Sequence, residues 1–356
     1  MARSVGLWAV AGGALGLLMT GGALVRGFFH VPAPVEPVVV HCADGAPTLK
    51  AGAELTVLVW NVQYGASTKH QFFYDGGHTV GVPRADVEWT LDNIAQVVRE
   101  IGPDVVLLQE VDRGSDRTHR VDEHMKLVEA LQLPCHTSTP YHRSAYVPFP
   151  GHEHMGRVEM HLSVLSRYKL GSARRHQLAL LDEPWWRQSF NLRRAILEVR
   201  LPVEQGPDLV LLDTHLSAFS KGDGTLPKQI AQVKALADSL HLEGLSVLLA
   251  GDFNALAPGD DPARLPAKSQ PLYADEGDPL EPLYQHLTPA VERSDYDKDS
   301  SRFYTYAPYG AGQPDRMIDH VFTGGGVRVM GLKVKQDRTD ISDHQPIVVR
   351  VGLPRP

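Results

Sequence analysis

Cysteine is nearly absent: Cys42 and Cys135 are the only two in 356 residues. So few thiols exclude a disulfide-dense scaffold and a four-cysteine zinc site. They leave open a single disulfide, if the chain is exported to an oxidising compartment, or two unpaired thiols. An excess of positive charge is lacking as well, the formal net charge being −7. A body of that sign repels phosphate at long range, so a phosphorylated substrate needs a bound cation or a local basic patch. With 43% hydrophobic and 22% charged residues, the composition is that of a globular protein, and disorder is not the starting assumption.

Acidic residues are missing from the first thirty positions, where Arg3 and Arg26 bracket the uncharged apolar run Ser4–Val25. That run is long enough to cross a bilayer as a helix, and no A-x-A-like cleavage site follows it. Residues 1–30 are therefore expected to be a transmembrane anchor, or a signal segment if they are cleaved. The N-terminal amine tips the orientation toward a body outside the cytoplasm, tethered or secreted. The Pro-rich VPAPVEPVVV opens a spacer over residues 31–50, and residues 51–356 form the catalytic body, its folded part starting near Leu55.

What the body does contain is short aliphatic runs bounded by turn residues. They lie at 55–60, 104–109, 194–201, 208–216, 245–250, 319–322 and 346–351, and read as strands, several buried on both faces. Between them, 86–101 places Val87, Leu91, Ile94, Val98 and Ile101 on one helical face with Asp86 as N-cap, and 227–241 opens a second helix with Pro227. Strands alternating with helices, some strand pairs joined by short turns, indicate an α/β protein with mixed sheets. The Gly-, Pro- and Asp-rich stretches 66–84 and 256–302 read as long surface loops.

Polar groups recur where these strands stop. Asn61, Glu110, Asp213 with His215, and Asp252 with Asn254 each follow an apolar run, and Asp319 and Asp343 with His344 come later. Strand ends of this kind gather side chains from distant positions onto one ligand. Carboxylate and amide oxygens are hard ligands suited to Mg²⁺ or Mn²⁺, and a histidine held by a carboxylate beside such a cation supplies the parts of phosphodiester hydrolysis.

The ordered motifs WN at 60–61, LQEV at 108–111, THL at 214–216, GDFN at 251–254, IDHVF at 318–322 and SDH at 342–344 carry a resemblance. From about Leu55 to Val351 the chain resembles the endonuclease/exonuclease/phosphatase superfamily, the deoxyribonuclease I-like group that includes neutral sphingomyelinases and abasic-site endonucleases. The resemblance implies a four-layer α/β sandwich of two packed mixed β-sheets flanked by helices. It implies a metal site of Glu110 with Asn61 and Asp343, for Mg²⁺ or Mn²⁺. It also implies catalytic roles for Asp252 and Asn254 at the attacking water and the phosphate, for His344 oriented by Asp319, and for His215 on a phosphate oxygen. Glu159 is the one nearby candidate for a carboxylate paired with His215. Two departures stand out: His320 occupies a position where many relatives have an aromatic residue, and MHLSVLSR at 160–167 replaces a Gly-richer strand.

The expected activity is metal-dependent phosphodiester hydrolysis, the substrate being a phospholipid head group or a nucleic acid. A DNA or RNA endonuclease is the enzymatic rival, and a membrane-tethered phosphate-binding pseudoenzyme is the alternative from another class. Apart from the phosphoester substrate and the membrane, no protein partner is called for, and a monomer is expected.

Overall fold

The computed structural model describes residues 32–188, 190–218, 223–273 and 277–356, so the apolar N-terminal run expected as an anchor lies outside the described residues. Among the described residues no helix is long and apolar enough to cross a membrane.

The aliphatic runs form two seven-stranded sheets. One orders its strands β15 (Arg328–Val334), β16 (Ile347–Gly352), β4 (Glu54–Asn61), β5 (Val105–Asp112), β7 (Gly156–Ser166), β6 (Cys135–Val147) and β2 (Val40–Cys42). The other runs β1 (Val35–Val38), β8 (Ser172–Gln177), β9 (Ala195–Leu201), β11 (Leu209–His215), β12 (Ser246–Asp252), β14 (Asp319–Gly324) and β13 (Thr288–Pro289). A small ladder pairs β3 (Leu49–Lys50) with β10 (Val203–Glu204). Only β4 with β5 and β11 with β12 run parallel within the large sheets, each pair joined through a long helix. The remaining pairs are antiparallel, which makes both sheets mixed.

Strand periodicity explains the layering. Along β11, Leu209 and Leu211 join one core with Val105, Leu107 and Val164 of the opposite sheet, while Val210 and Leu212 join a second core with Leu226, Ile230 and Val233 of the helix Thr225–Leu242. Successive side chains point to opposite faces, so a strand covered on both sides must be apolar throughout. The helix Arg84–Ile101 buries Val87, Leu91, Ile94 and Val98 against the first sheet. Helix, sheet, sheet, helix gives the four-layer sandwich. That helix starts two residues before the expected Asp86 cap, behind Pro83, whose ring presets the entry; the Asp86 carboxylate instead meets His70 Nε2 at 2.8 Å.

The segment expected as a free spacer is only partly one. β1 hydrogen-bonds along β8 at the edge of one sheet and β2 along β6 at the edge of the other, so residues 35–42 strap the two edges together. Pro37 fits there because an edge strand leaves one row of donors unused. Cys42 and Cys135 are disulfide-bonded at the end of the strap, 93 residues apart in sequence. Cross-linking a loop of that size removes denatured-chain entropy, and removing such a bond costs roughly 2–5 kcal/mol. The Cys42→Ser/Cys135→Ser double variant is expected to lose about that much unfolding free energy, read as a lower urea midpoint. Coincident unfolding curves would take the bridge out of the domain's stability.

Candidate active site

Strand register sets the functional side chains level with one another. In the second sheet His215 at the end of β11 is opposite Asp252 at the end of β12, and Asp252 is opposite Asp319 at the start of β14. In the first sheet β4 ends on Asn61, opposite Gln109 of β5. Next along β5 the pairing to β7 shifts between Leu108 and Val111, and Glu110 sits in this bulge at φ 58°. A bulge of this kind re-aims a side chain, here at the cost of a left-handed conformation in a non-glycine residue. Asn254, just past β12, pays the same conformational cost at φ 51°. The glycine of GDFN is needed for space: a Cβ on Gly251 would lie 1.9 Å from the Thr214 carbonyl oxygen.

Across the gap between the sheets the groups converge on Asp252. Its Oδ2 accepts from Asn61 Nδ2 at 3.0 Å and lies 3.2 Å from His215 Nε2 and 3.6 Å from His344 Nε2, while its Oδ1 accepts the Asn254 N–H at 2.9 Å. Asn61 Nδ2 also reaches Glu110 Oε1 at 3.2 Å. His344 Nδ1 bonds Asp319 Oδ2 at 2.8 Å, and the segment carrying it is pinned by Trp60 Nε1 donating to the His344 carbonyl at 2.8 Å and by Ser342 Oγ donating to Asn61 O at 2.8 Å. The Asp343 N–H donates to Gln63 Oε1 at 3.2 Å. Asn254 Nδ2 donates to the Leu216 carbonyl at 3.0 Å, tying the GDFN turn to β11.

Electrostatically the site is short of positive charge. Burial, with Asp319 and Glu110 adding to it and His344 opposing, raises the Asp252 carboxyl to about 7. Burial and the neighbouring Glu110 likewise raise Asp343 to about 7, again against His344. Burial alone would pull His344 down, but Asp319 and Asp252 prevail and hold its imidazole well above the ordinary histidine value. His215 goes the other way, well below it, through burial and the charges of Arg194 and His344. Buried carboxyls this reluctant to ionise are what a divalent cation would relieve, and ligand atoms of Glu110, His215 and Asp252 lie within 4.8 Å of one another. The residues present therefore fit a cation with hard oxygen ligands.

The eight residues to which the resemblance gives metal or catalytic roles lie in this one constellation, with some differences of detail, whereas Asp213, named beside His215, accepts from Gln109 Nε2 at 2.6 Å in the core. Asn61 turns its amide nitrogen to the carboxylates, and its oxygen accepts from Gln63 N at 3.0 Å, so it spaces Glu110 and Asp252 and does not present a ligand oxygen to them. Glu159 is not the partner of His215: it bonds His161 at 3.3 Å and Arg157, farther along the first sheet. The partner of His215 Nδ1 is the Tyr141 hydroxyl at 3.1 Å, with Glu110 Oε1 at 3.7 Å. No local pattern marks Tyr141, which reaches the site from β6 only through sheet packing. His320 is a satisfied core histidine, bonded to the Ala255 carbonyl at 2.9 Å and packed on Phe253 and Phe322.

The sequence profile of the endonuclease/exonuclease/phosphatase family matches residues 58–344. Comparison with curated protein sequences finds no match. Among solved structures, an endonuclease/exonuclease/phosphatase from Beutenbergia cavernae is 23% identical, with 85% of this chain and 72% of that one covered at a TM-score of 0.58. The human nocturnin catalytic domain with bound sulfate is 16% identical, covering 89% and 97% at 0.53. Truncated Caenorhabditis elegans TDP2 is 14% identical, covering 84% and 97% at 0.51. At such identities the structural likeness establishes the shared fold. The profile match runs from the strand before Asn61 to His344, and so takes in every residue of the constellation; this chain belongs to the endonuclease/exonuclease/phosphatase family, divalent-metal-dependent hydrolases of phosphoesters.

Proposed function

We propose that the chain is a phosphodiesterase that uses Mg²⁺ or Mn²⁺ and acts outside the cytoplasm, tethered or released, on phospholipid head groups. The observation that carries the reaction is the single oxygen Asp252 Oδ2, placed 3.2 Å from one imidazole and 3.6 Å from another. Glu110 and Asp343 would hold the cation, which would supply positive charge to the phosphoryl and leaving oxygens. Asp252 takes the proton of the attacking water, its carboxylate fixed by Asn61 and by the Asn254 N–H. His344 stays charged: its Nδ1–H donates to Asp319, and its Nε2–H donates to a phosphoryl oxygen. His215 stays neutral, with the Tyr141 hydroxyl donating to Nδ1 and Nε2–H left as a second donor beside Asp252. The water oxygen bonds to phosphorus and the P–O bond to the leaving oxygen breaks; that oxygen takes a proton from solvent, Asp252 returns its own to solvent, and a phosphomonoester and the alcohol leave.

The head-group reading draws on the net charge of −7 and on exposed Tyr74, Tyr146 and Phe149, carried by the loop 66–82 and the β6–β7 hairpin, which share a small apolar cluster. The location draws on the Cys42–Cys135 bridge, since disulfides persist in oxidising compartments, and on the apolar run before residue 26. Chelation is expected to abolish hydrolysis of bis(p-nitrophenyl) phosphate, and Mg²⁺ or Mn²⁺ to restore it; undiminished hydrolysis in chelator would overturn the mechanism. In parallel assays, turnover of sphingomyelin vesicles without nicking of supercoiled DNA is expected. Nicking that fades steeply with added salt would favour the nuclease.

A further inference from the structure

Among the described residues Arg117, Arg175, Arg193, Arg194 and Arg316 are buried, and their donors are met differently; Arg175 is held by the Pro140 and Arg193 carbonyls and by Gln177 Oε1 with Nη1 alone unbonded. Arg117, beneath the loop 66–82, is a structural cation: its Nε and Nη2 bond both oxygens of Asp112 at 2.8 and 2.9 Å. Arg316 grips Asp315 in the same fashion at 2.6 and 2.9 Å. Arg194 differs. It is only 5% exposed, yet its Nε and Nη1 find no hydrogen-bond partner among the described residues.

Its position is fixed by the second sheet. Arg194 immediately precedes β9, whose Ile196 is opposite Thr214 of β11, so its backbone lies beside the strand end that carries His215. Its carbonyl accepts from Leu178 N and from Gln177 Nε2, each at 3.0 Å, which anchors the residue. The guanidinium carbon lies 5.4 Å from the centre of the Tyr141 ring, whose hydroxyl is bonded to His215. Its charge is felt by His215 and Tyr141, and it in turn feels Glu110 and Asp252. A cation is thus buried at the wall of the active site with two donors idle.

An ionised group taken out of water is strongly disfavoured unless it is paired. Glu110 and Asp252 attract it across space and the Tyr141 hydroxyl bonds it, yet Nε and Nη1 remain without a partner among the described residues, which leaves them for an anion. A guanidinium offers a planar fork of donors that matches two oxygens of a phosphate. We propose that Arg194 binds a non-bridging oxygen of the substrate phosphoryl group, and so supplies the basic contact that an acidic body otherwise withholds. This rests on the phosphodiesterase reading for the identity of the anion.

The test uses the full chain with Mg²⁺ and two probes, inorganic phosphate and bis(p-nitrophenyl) phosphate. Phosphate is expected to raise the thermal midpoint of the wild-type protein. In Arg194→Gln its affinity should weaken at least roughly tenfold and kcat/KM should fall roughly 10²-fold, the scale of one lost transition-state donor. Mg²⁺ affinity measured by calorimetry should stay the same. The midpoint without phosphate should hold or rise, because an unpaired buried charge has been removed; loss of a structural ion pair would lower it. Arg194→Lys, which keeps the charge and loses the fork, should fall between, and it carries the comparison if the glutamine variant does not fold. Exposed Arg174→Gln is the control and should change neither readout. Unaltered phosphate affinity in Arg194→Gln, a wild-type midpoint indifferent to phosphate, or loss of fold in both variants would overturn the proposal. Phosphate binding through Arg194 in a protein that hydrolyses no ester would refute the phosphodiesterase reading and leave this contact standing.

Discussion

Glu110→Gln is expected to lower kcat/KM roughly 10³-fold or more, a loss of about 4 kcal/mol of transition-state stabilisation, and to weaken Mg²⁺ binding in calorimetry. The change removes a charge and little else. A glutamine retains an oxygen that can accept from Asn61 Nδ2, now at 3.2 Å from Glu110 Oε1, and keeps the shape of the bulge. Its exposure to solvent, about a fifth of the side chain, means that no buried charge is stranded by the swap. Glu110 is also the carboxylate that the first sheet contributes opposite Asp252 of the second, and it would hold the cation from that side. A domain that holds a φ of 58° at this residue is spending stability on where that carboxylate points. Wild-type Mg²⁺ affinity in the variant would take Glu110 out of the metal site even if turnover fell. Wild-type turnover would take it out of the reaction.

What the sequence made legible follows from which forces are local. Strands such as β11 and β12 were readable because burial on both faces demands unbroken aliphatic runs, and the residues that stop those runs, His215 and Asp252, carry the chemistry. β6 was not readable, since Cys135–Val147 alternates apolar with histidine, serine and threonine and looks like a loop until β7 lies beside it. The same applies to β1 and β2: Val35–Val38 has no feature that names the sheet edge it will join. Tyr141 and Arg194 acquire meaning only when the two sheets meet, one from each, and Glu159 failed as a partner because β7 sets it beside Arg143, away from His215. Asn61 was found by position, while the direction of its amide is decided by a backbone N–H two residues on.

Asp319→Asn should lower kcat/KM by roughly 10²–10⁴-fold, and by a factor that depends on pH. Asp319 does two things for His344. It accepts the Nδ1 proton at 2.8 Å, which fixes the ring with Nε2 facing Asp252, and it outweighs burial in holding the imidazole well above its ordinary value. An asparagine can turn its NH₂ toward Nδ1 and so favour the tautomer with the proton on the wrong nitrogen. It also withdraws the charge that keeps the ring protonated. The sign is then determined. In the wild type the charged, donating form persists through neutral pH and is lost only as pH rises through the elevated value; in the variant that value falls, so the donor is lost at lower pH. The alkaline limb of kcat/KM should therefore move to lower pH, and the defect should be larger in mildly alkaline than in mildly acidic buffer. His344→Gln should lose activity on the same order with no such limb, because the titrating group is gone. If the Asp319→Asn defect were the same factor at every pH, Asp319 would orient the imidazole without setting its charge, and the donor role assigned to a protonated His344 would have to be given up.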